Sequence, residues 1–164
     1  MIAVAIVVAI VVVYFFLKAT VIVPNDSAYV VERMGQYVQT LHPGFHVLMP
    51  LLDRVAFKQP LEMQTEEFSD AYETKDRRSA TLKSSVRFRV LDAKRASYGA
   101  ADYLDYLRTA VRTHQKKYVE GQNWESLRED TRSAESEILR NVDGLAEAVG
   151  VKVLEYEVKD LQLQ

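Results

Sequence analysis

His42 and His46 stand four residues apart, the spacing at which two imidazoles on one helical face share a zinc ion. Pro43 and Gly44 lie between them. Proline does not fit a helix interior, and no glutamate stands in the middle to act as a base, so this spacing points to no metal pair. Carboxylates are more concentrated: Glu66, Glu67, Asp70, Glu73 and Asp76 follow one another closely. They lack the alternating ligand order and central glycine of a calcium loop, and charge runs of this kind face water. Serines are plentiful, but there is no G-x-S-x-G elbow and no S-x-x-K element. The absence of cysteine removes thiol catalysis, disulfides, cysteine-ligated metals and palmitoylation together. No Gly-rich loop precedes a helix, so nucleotide phosphates have no cradle. His114 falls on an apolar helical stripe and reads as a packing residue, and Trp124 near a helix start reads as core or staple. No catalytic, cofactor-binding or metal-binding set emerges. An enzymatic reading, a membrane hydrolase with Ser and His brought together by folding, has no motif behind it.

The elements that would position any site begin with an apolar run. Ile2 to Leu17 are sixteen consecutive uncharged residues, with Ile2, Val7, Val12, Phe15, Phe16 and Leu17 among its candidate anchor residues. As a helix they cover about 24 Å, a little short of a hydrocarbon core of about 30 Å. Counted onward through Val21, Ile22 and Val23 the segment reaches about 33 Å and spans if Lys18 snorkels to the headgroups. Pro24 marks its expected end. A cleaved signal peptide needs a basic start and an A-x-A-like site, and neither is present. A core strand rarely exceeds about ten residues. The run is read as a membrane anchor over residues 1–23, followed by one domain over residues 24–164. Lys18 beyond the span tilts that domain toward the cytoplasm.

Twenty of the 21 basic residues and all 23 acidic ones fall after residue 23, a formal balance of −3. Such a mixed balance argues against a nucleic-acid binder, for which a basic stripe is expected. From Ser27 to Val55 the chain is strand-like with turn residues at Gly35 and Pro43-Gly44, the pattern of a hairpin or meander. Phe45 to Leu52 is apolar enough to be buried, with Pro50 at an edge or turn. Asp53 to Phe57 reads as a further strand. The acidic stretch at 66–76 reads as a solvated connection or edge strand. Residues 81–90 alternate cleanly, with Leu82, Ser84, Val86, Phe88 and Val90 on one face and Lys83, Ser85, Arg87 and Arg89 on the other. A helix then runs from an Asp102 cap to Gly121, with Leu104, Leu107, Val111, His114 and Tyr118 as its stripe. A second helix of about twenty-five residues, or roughly 38 Å, starts near Asn123-Trp124 and ends at Gly150, before a closing strand at Val151 to Val158.

These segments also resemble, in order, the stomatin/prohibitin/flotillin superfamily, known as SPFH or band 7. The matching residues are Val23-Pro24 after the anchor, then Tyr29-Val30-Val31-Glu32-Arg33-Met34-Gly35-Gln36-Tyr37, Leu41-His42-Pro43-Gly44-Phe45-His46 and Pro50-Leu51-Leu52-Asp53-Arg54-Val55. Thr74-Lys75-Asp76 is similar to the family's turn before the clean strand, and Lys159-Asp160-Leu161 to the end of its last strand. The resemblance implies an α+β domain with a mainly antiparallel sheet and two helices, carried on an N-terminal transmembrane or membrane-inserted helix. It implies a non-enzymatic role in oligomeric membrane scaffolds that organise lipids and regulate partner channels or proteases. Two departures stand out. Asp92-Ala93 replaces an Asp-Pro before the first helix, and Thr113-His114-Gln115-Lys116-Lys117 departs from that helix's apolar pattern. The family's long Ala/Glu-rich coiled coil is not in the sequence, which ends at Gln164. The expectation is either a truncated piece or a short form that assembles through the domain alone or with a longer paralogue.

Two functions follow as expectations. The first is a self-assembling homo-oligomeric scaffold that organises a patch of membrane lipid and its partner proteins, without cofactor or nucleic acid. The second is an accessory regulator of a membrane protease or ion channel, which requires a stoichiometric partner.

Overall fold

The computed structural model describes residues 2–163, without the side chains at positions 3, 5, 8, 11, 12 and 15–18. The anchor positions Val12, Phe15, Phe16 and Leu17 thus lie outside the described side chains. The chain divides into two compact units, Met1–Leu61 and Glu62–Gln164.

The first unit opens with helix α1, Ile2–Ala19. The apolar run does not stay helical through Val23. Val21, Ile22 and Val23 run into Pro24, which disfavours the α conformation in the residue before it, and they form β1, Thr20–Val23, paired antiparallel with β4, Gly44–Val47. The helix therefore measures about 27 Å rather than 33 Å. Among the described residues no helix is long and apolar enough to cross a membrane. A second antiparallel sheet has the order β3-β2-β5, from β2 Ser27–Arg33, β3 Gln36–Leu41 and β5 Asp53–Pro60. Met34 and Gly35 close the β2–β3 hairpin, both at positive φ (52° and 83°), the conformation that a two-residue turn matched to strand twist requires. Val23, Val31, Leu41 and Leu48 are buried together, with Val21, Tyr29 and Val55 packed against them.

The second unit is built on an antiparallel sheet of order β6-β7-β8, formed by β6 Gln64–Glu73, β7 Ser79–Val90 and β8 Val151–Leu163. The helices are α2 Ala93–Tyr98, α3 Tyr103–Gly121, α4 Trp124–Glu129 and α5 Thr131–Ala146, with a 3-10 turn at Glu147–Val149. The fold is α+β with antiparallel sheets, but among the described residues there are four helices beyond α1 where two were expected. The single long helix fails at Asp130. Its backbone is non-helical (φ −129°, ψ 68°) and its carboxylate accepts the Ser133 N–H at 3.0 Å, so it ends α4 and caps α5. The acidic stretch is the edge strand β6. β7 alternates as its sequence requires, with Leu82, Ser84, Val86, Phe88 and Val90 buried and Lys83, Arg87 and Arg89 exposed; Ser85, of the cationic parity, is buried as well. Phe68, Phe88, Leu107, Val111, Ile138, Val142 and Tyr156 share the core between sheet and helices.

The buried stripe of α3 is rotated from the expected one. Leu107, Val111, Gln115 and Val119 face inward, and Gln115 is wholly buried. Its carboxamide nitrogen donates to Ser84 Oγ (2.6 Å) and Tyr156 Oη (3.0 Å), and its oxygen accepts from Tyr72 Oη (3.0 Å). Burial holds the Tyr72 and Tyr156 phenols above their usual range, so both remain protonated. At the sheet edge, the Val153 and Val158 N–H groups donate to Asp143 and Glu135 of α5 (3.1 and 2.9 Å). Covering these donors blunts β8 as a template for stray strand pairing.

Candidate membrane-contact site

Two charged dipeptides, Glu32-Arg33 and Asp53-Arg54, lie on neighbouring antiparallel strands in the register Glu32↔Arg54 and Arg33↔Asp53. That register sets opposite charges facing each other twice, which favours this pairing over a slipped one. Arg33 Nε and Nη2 donate to the two oxygens of Asp53 (2.7 and 3.2 Å), and Arg54 Nη2 donates to Glu32 (3.0 Å). The Asp53 side chain is only 4% exposed. Its Oδ2 also accepts the Met49 N–H at 3.0 Å, and the Leu52 and Asp53 N–H groups donate back to the Met49 carbonyl (3.0 and 2.8 Å). The Arg33 guanidinium, and then the Met49 N–H, hold the Asp53 carboxyl below the usual carboxylate range. One carboxylate thus clamps the loop Met49-Pro50-Leu51-Leu52 to the end of the β2–β5 pair.

What the clamp presents is apolar. Of the run Phe45 to Leu52, expected to be buried, only Leu48 is, whereas Phe45, Val47, Met49, Leu51 and Leu52 are all exposed. The physical reason is local. Within β4 only His46 is half-buried, Leu48 just after the strand joins the small core, and Pro50 stops a strand, so the loop residues have no sheet to pack on. Ile22 and Phe45 sit directly opposite each other across β1–β4, yet both face outward, 76% and 63% exposed. Leu51 at 82% and the hairpin-tip Met34 at 86% are the most open.

The register places these residues together. Leu48 N–H donates to the carbonyl of Ala19, the last residue of α1, at 2.7 Å, and the loop follows at once. Arg33, next to Met34, pairs with Asp53, next to Leu52. Met34, Val47 and the Met49–Leu52 loop therefore gather at the end of the unit where α1 arrives. Ser27 and Pro60 pair at the other end of β2, six residues or about 20 Å away. On α1 itself Ile2, Val4, Ile6, Val7, Ile10, Val13 and Tyr14 are exposed, and a helix apolar around its circumference needs an apolar surrounding. Burying one such side chain is worth roughly 1.5–3 kcal/mol, so water is a poor solvent for this end.

The remaining singled-out positions serve elsewhere. Ser27 N–H donates to the Pro24 carbonyl at the β1–β2 turn, and Tyr37 Oη bonds Thr40 Oγ1 (3.2 Å). Gly35 forms the hairpin turn, while Pro43 and Gly44 (φ 135°) lead into β4. His46 Nε2 donates to the His42 carbonyl at 2.7 Å, so the two rings do not converge. In the second unit, Asp76 accepts from Thr74 Oγ1 (2.6 Å) and from the Trp124 N–H (3.2 Å), capping α4 from a distant turn, while Lys75 N–H donates to the Gln122 carbonyl. Lys159 pairs with Glu67 (2.7 Å) and Asp160 with Lys83 (3.4 Å) across the outer sheet face. Glu66 and Asp70 face the helices instead, taken by Arg108 and Arg112. Among the described residues no group of His, Asp and Glu is arranged to hold a metal ion. The sequence reading missed the outward set Ile22, Phe45, Val47, Met49 and Leu51; for Met49 and Leu51 the signal was Pro50 within an apolar run, whereas Ile22, Phe45 and Val47 lie on the outward face of the two-stranded β1–β4 sheet, which no sequence signal marked.

The family model described as SPFH domain / Band 7 family matches residues 21–164. Stomatin-like protein 2, mitochondrial, of Homo sapiens is 28% identical over 142 residues, which cover 86% of this chain and 40% of that protein. Stomatin-like protein stl-1 of Caenorhabditis elegans is 28% identical over 142 residues, 86% of this chain and 44% of the relative. An uncharacterized protein of Methanocaldococcus jannaschii is 24% identical over 157 residues, 90% of this chain and 74% of its own length. The chain thus spans about two fifths of the length of the stomatin-like relatives.

Proposed function

The chain belongs to the SPFH domain / Band 7 family, whose members are generally membrane-associated scaffolds, and from that premise we propose that it is a membrane-bound scaffold whose first unit lies against the bilayer. The observation that carries this reading is the exposed loop Met49–Leu52, clamped by Asp53 at the end of the unit that α1 enters. α1 inserts, and Phe45, Val47, Met49, Leu51 and Leu52 settle into the interface beside it. Two attachments of modest strength hold more firmly than either, because once α1 is inserted the second contact is intramolecular. Self-assembly into a homo-oligomer multiplies these contacts over one membrane patch, with lipid and neighbouring membrane proteins as partners and no reaction of its own.

Flotation of the purified chain with phosphatidylcholine vesicles tests the membrane contact, and crosslinking on those vesicles tests the assembly. Wild type is expected to float and to give a ladder of self-crosslinked species. Flotation unchanged in a Phe45→Asp, Leu51→Asp variant contradicts the interfacial contact. Crosslinks confined to another membrane protein, with none between copies, favour the accessory-regulator reading.

A further inference from the structure

The stretch Thr113 to Lys117 interrupts the apolar pattern of α3, and the membrane surface makes no use of it. His114 and Lys117 instead open into a cleft of about 160 Å3 between α3 and α5, lined also by Tyr118, Gln122, Glu137 and Asn141. Its two walls differ in charge. The α3 wall supplies an ammonium and an imidazole, and the α5 wall supplies a carboxylate and a carboxamide. Among the described residues neither Lys117 nor Glu137 has an ion-pair partner, although the adjacent Lys116 is held by Glu120 at 3.7 Å. Burial, with the charges of Glu137 and Asp130, holds the Tyr118 phenol above its usual range, so it stays a donor.

We propose that this cleft binds a small free zwitterion of the α-amino-acid class, its carboxylate toward Lys117 and His114 and its ammonium toward Glu137. Size points the same way. The cleft holds about five water volumes, enough for a small amino acid, and is well under the roughly 300 Å3 at which pockets for larger organic ligands begin. Charge excludes the simpler classes. A lone anion meets Glu137 and a lone cation meets Lys117, whereas a zwitterion satisfies a donor-only ammonium on one wall and an acceptor-only carboxylate on the other. Gln122 and Asn141 each offer both a donor and an acceptor, so they complete either end.

Isothermal titration of the full chain in detergent micelles tests this with L-serine, and with acetate and methylammonium as probes of each charge alone. L-serine is expected to bind saturably below about 10 mM, as suits a ligand of few atoms, with acetate and methylammonium at least about tenfold weaker. Lys117→Met and Glu137→Gln each weaken L-serine by more than about tenfold, while Lys116→Met one position away binds as wild type. Both altered side chains are exposed, and an unchanged thermal midpoint shows that each variant is folded. Absence of saturable binding overturns the proposal. So does acetate or methylammonium binding as tightly as L-serine, or full binding by a folded Lys117→Met variant.

Discussion

Arg33 and Asp53 are joined by two hydrogen bonds across β2 and β5, and the same Asp53 carboxylate takes the Met49 N–H, so a strand register and an exposed apolar loop depend on one side chain. Replacing it by asparagine keeps the shape and removes the charge. Asp53→Asn is expected to destabilise the chain by about 1–3 kcal/mol, the usual loss for a hydrogen bond to a charged group. Urea unfolding measures this, and a midpoint equal to wild type refutes the clamp.

Acid is expected to act on the same carboxylate. Its folded pKa lies below the unfolded value because of Arg33 and Met49, so its stabilisation is complete above the unfolded pKa and is lost as pH falls through the folded one. Stability is expected to be level from pH 7 to about 5 and to drop below about pH 4. Asp76, held down by the Thr74 hydroxyl, and Glu67, held down by Lys159, contribute in the same direction. A series of urea midpoints against pH is expected to show a shallower acid slope for Asp53→Asn; an identical slope argues against the assignment.

In the second unit, Gln115 serves Ser84, Tyr156 and Tyr72 at once. Gln115→Leu fills similar space yet leaves buried hydroxyls without their partner, at about 1–3 kcal/mol for each one left unsatisfied. A loss of at least about 2 kcal/mol in chemical denaturation is expected. A neutral result means that the three hydroxyls repair one another.

Gly150 follows the 3-10 turn at φ 72°, and its carbonyl takes the Leu91 and Asp92 N–H groups (2.9 and 3.0 Å). A Cβ there lies 2.5 Å from the Asp92 carbonyl oxygen and 2.7 Å from Arg95 Cβ. Gly150→Ala combines a left-handed backbone with overpacking, about 2–4 kcal/mol together. Thermal melts are expected to fall by at least about 5 °C. Gly35 has nothing within 4 Å of its Cβ position, so Gly35→Ala carries the backbone term alone and is expected to cost less.

Local patterning was legible in the sequence. The alternation of β7, the Asp102 cap of α3 and the turn at Gly35 depend on neighbours a few residues away. The Glu32-Arg33 and Asp53-Arg54 motifs were visible as dipeptides, but their crossed pairing is a matter of register between strands twenty residues apart. Gln115 was hidden because a polar residue on a helix reads as surface unless its three distant partners are known. Phe45 to Leu52 misled for the opposite reason. Apolar residues read as core, but Phe45 and Val47 lie on the outward face of a two-stranded sheet and the residues after Leu48 have no strand to hold them inside. Asp130 belongs with these, since a charged residue in a charged helix face gave no sign that it would cap a new helix.

The cysteine-free sequence allows the membrane contact to be read one position at a time. Spin labels at Leu51→Cys and Asp26→Cys, on the full chain in phosphatidylcholine vesicles, report collision with oxygen, which partitions into lipid, and with a water-soluble nickel complex. The label at Leu51 is expected to favour oxygen, and the label at Asp26, beside the far end of β2, to favour nickel. Equal nickel accessibility at the two positions contradicts a first unit seated on the membrane by its Met49–Leu52 end.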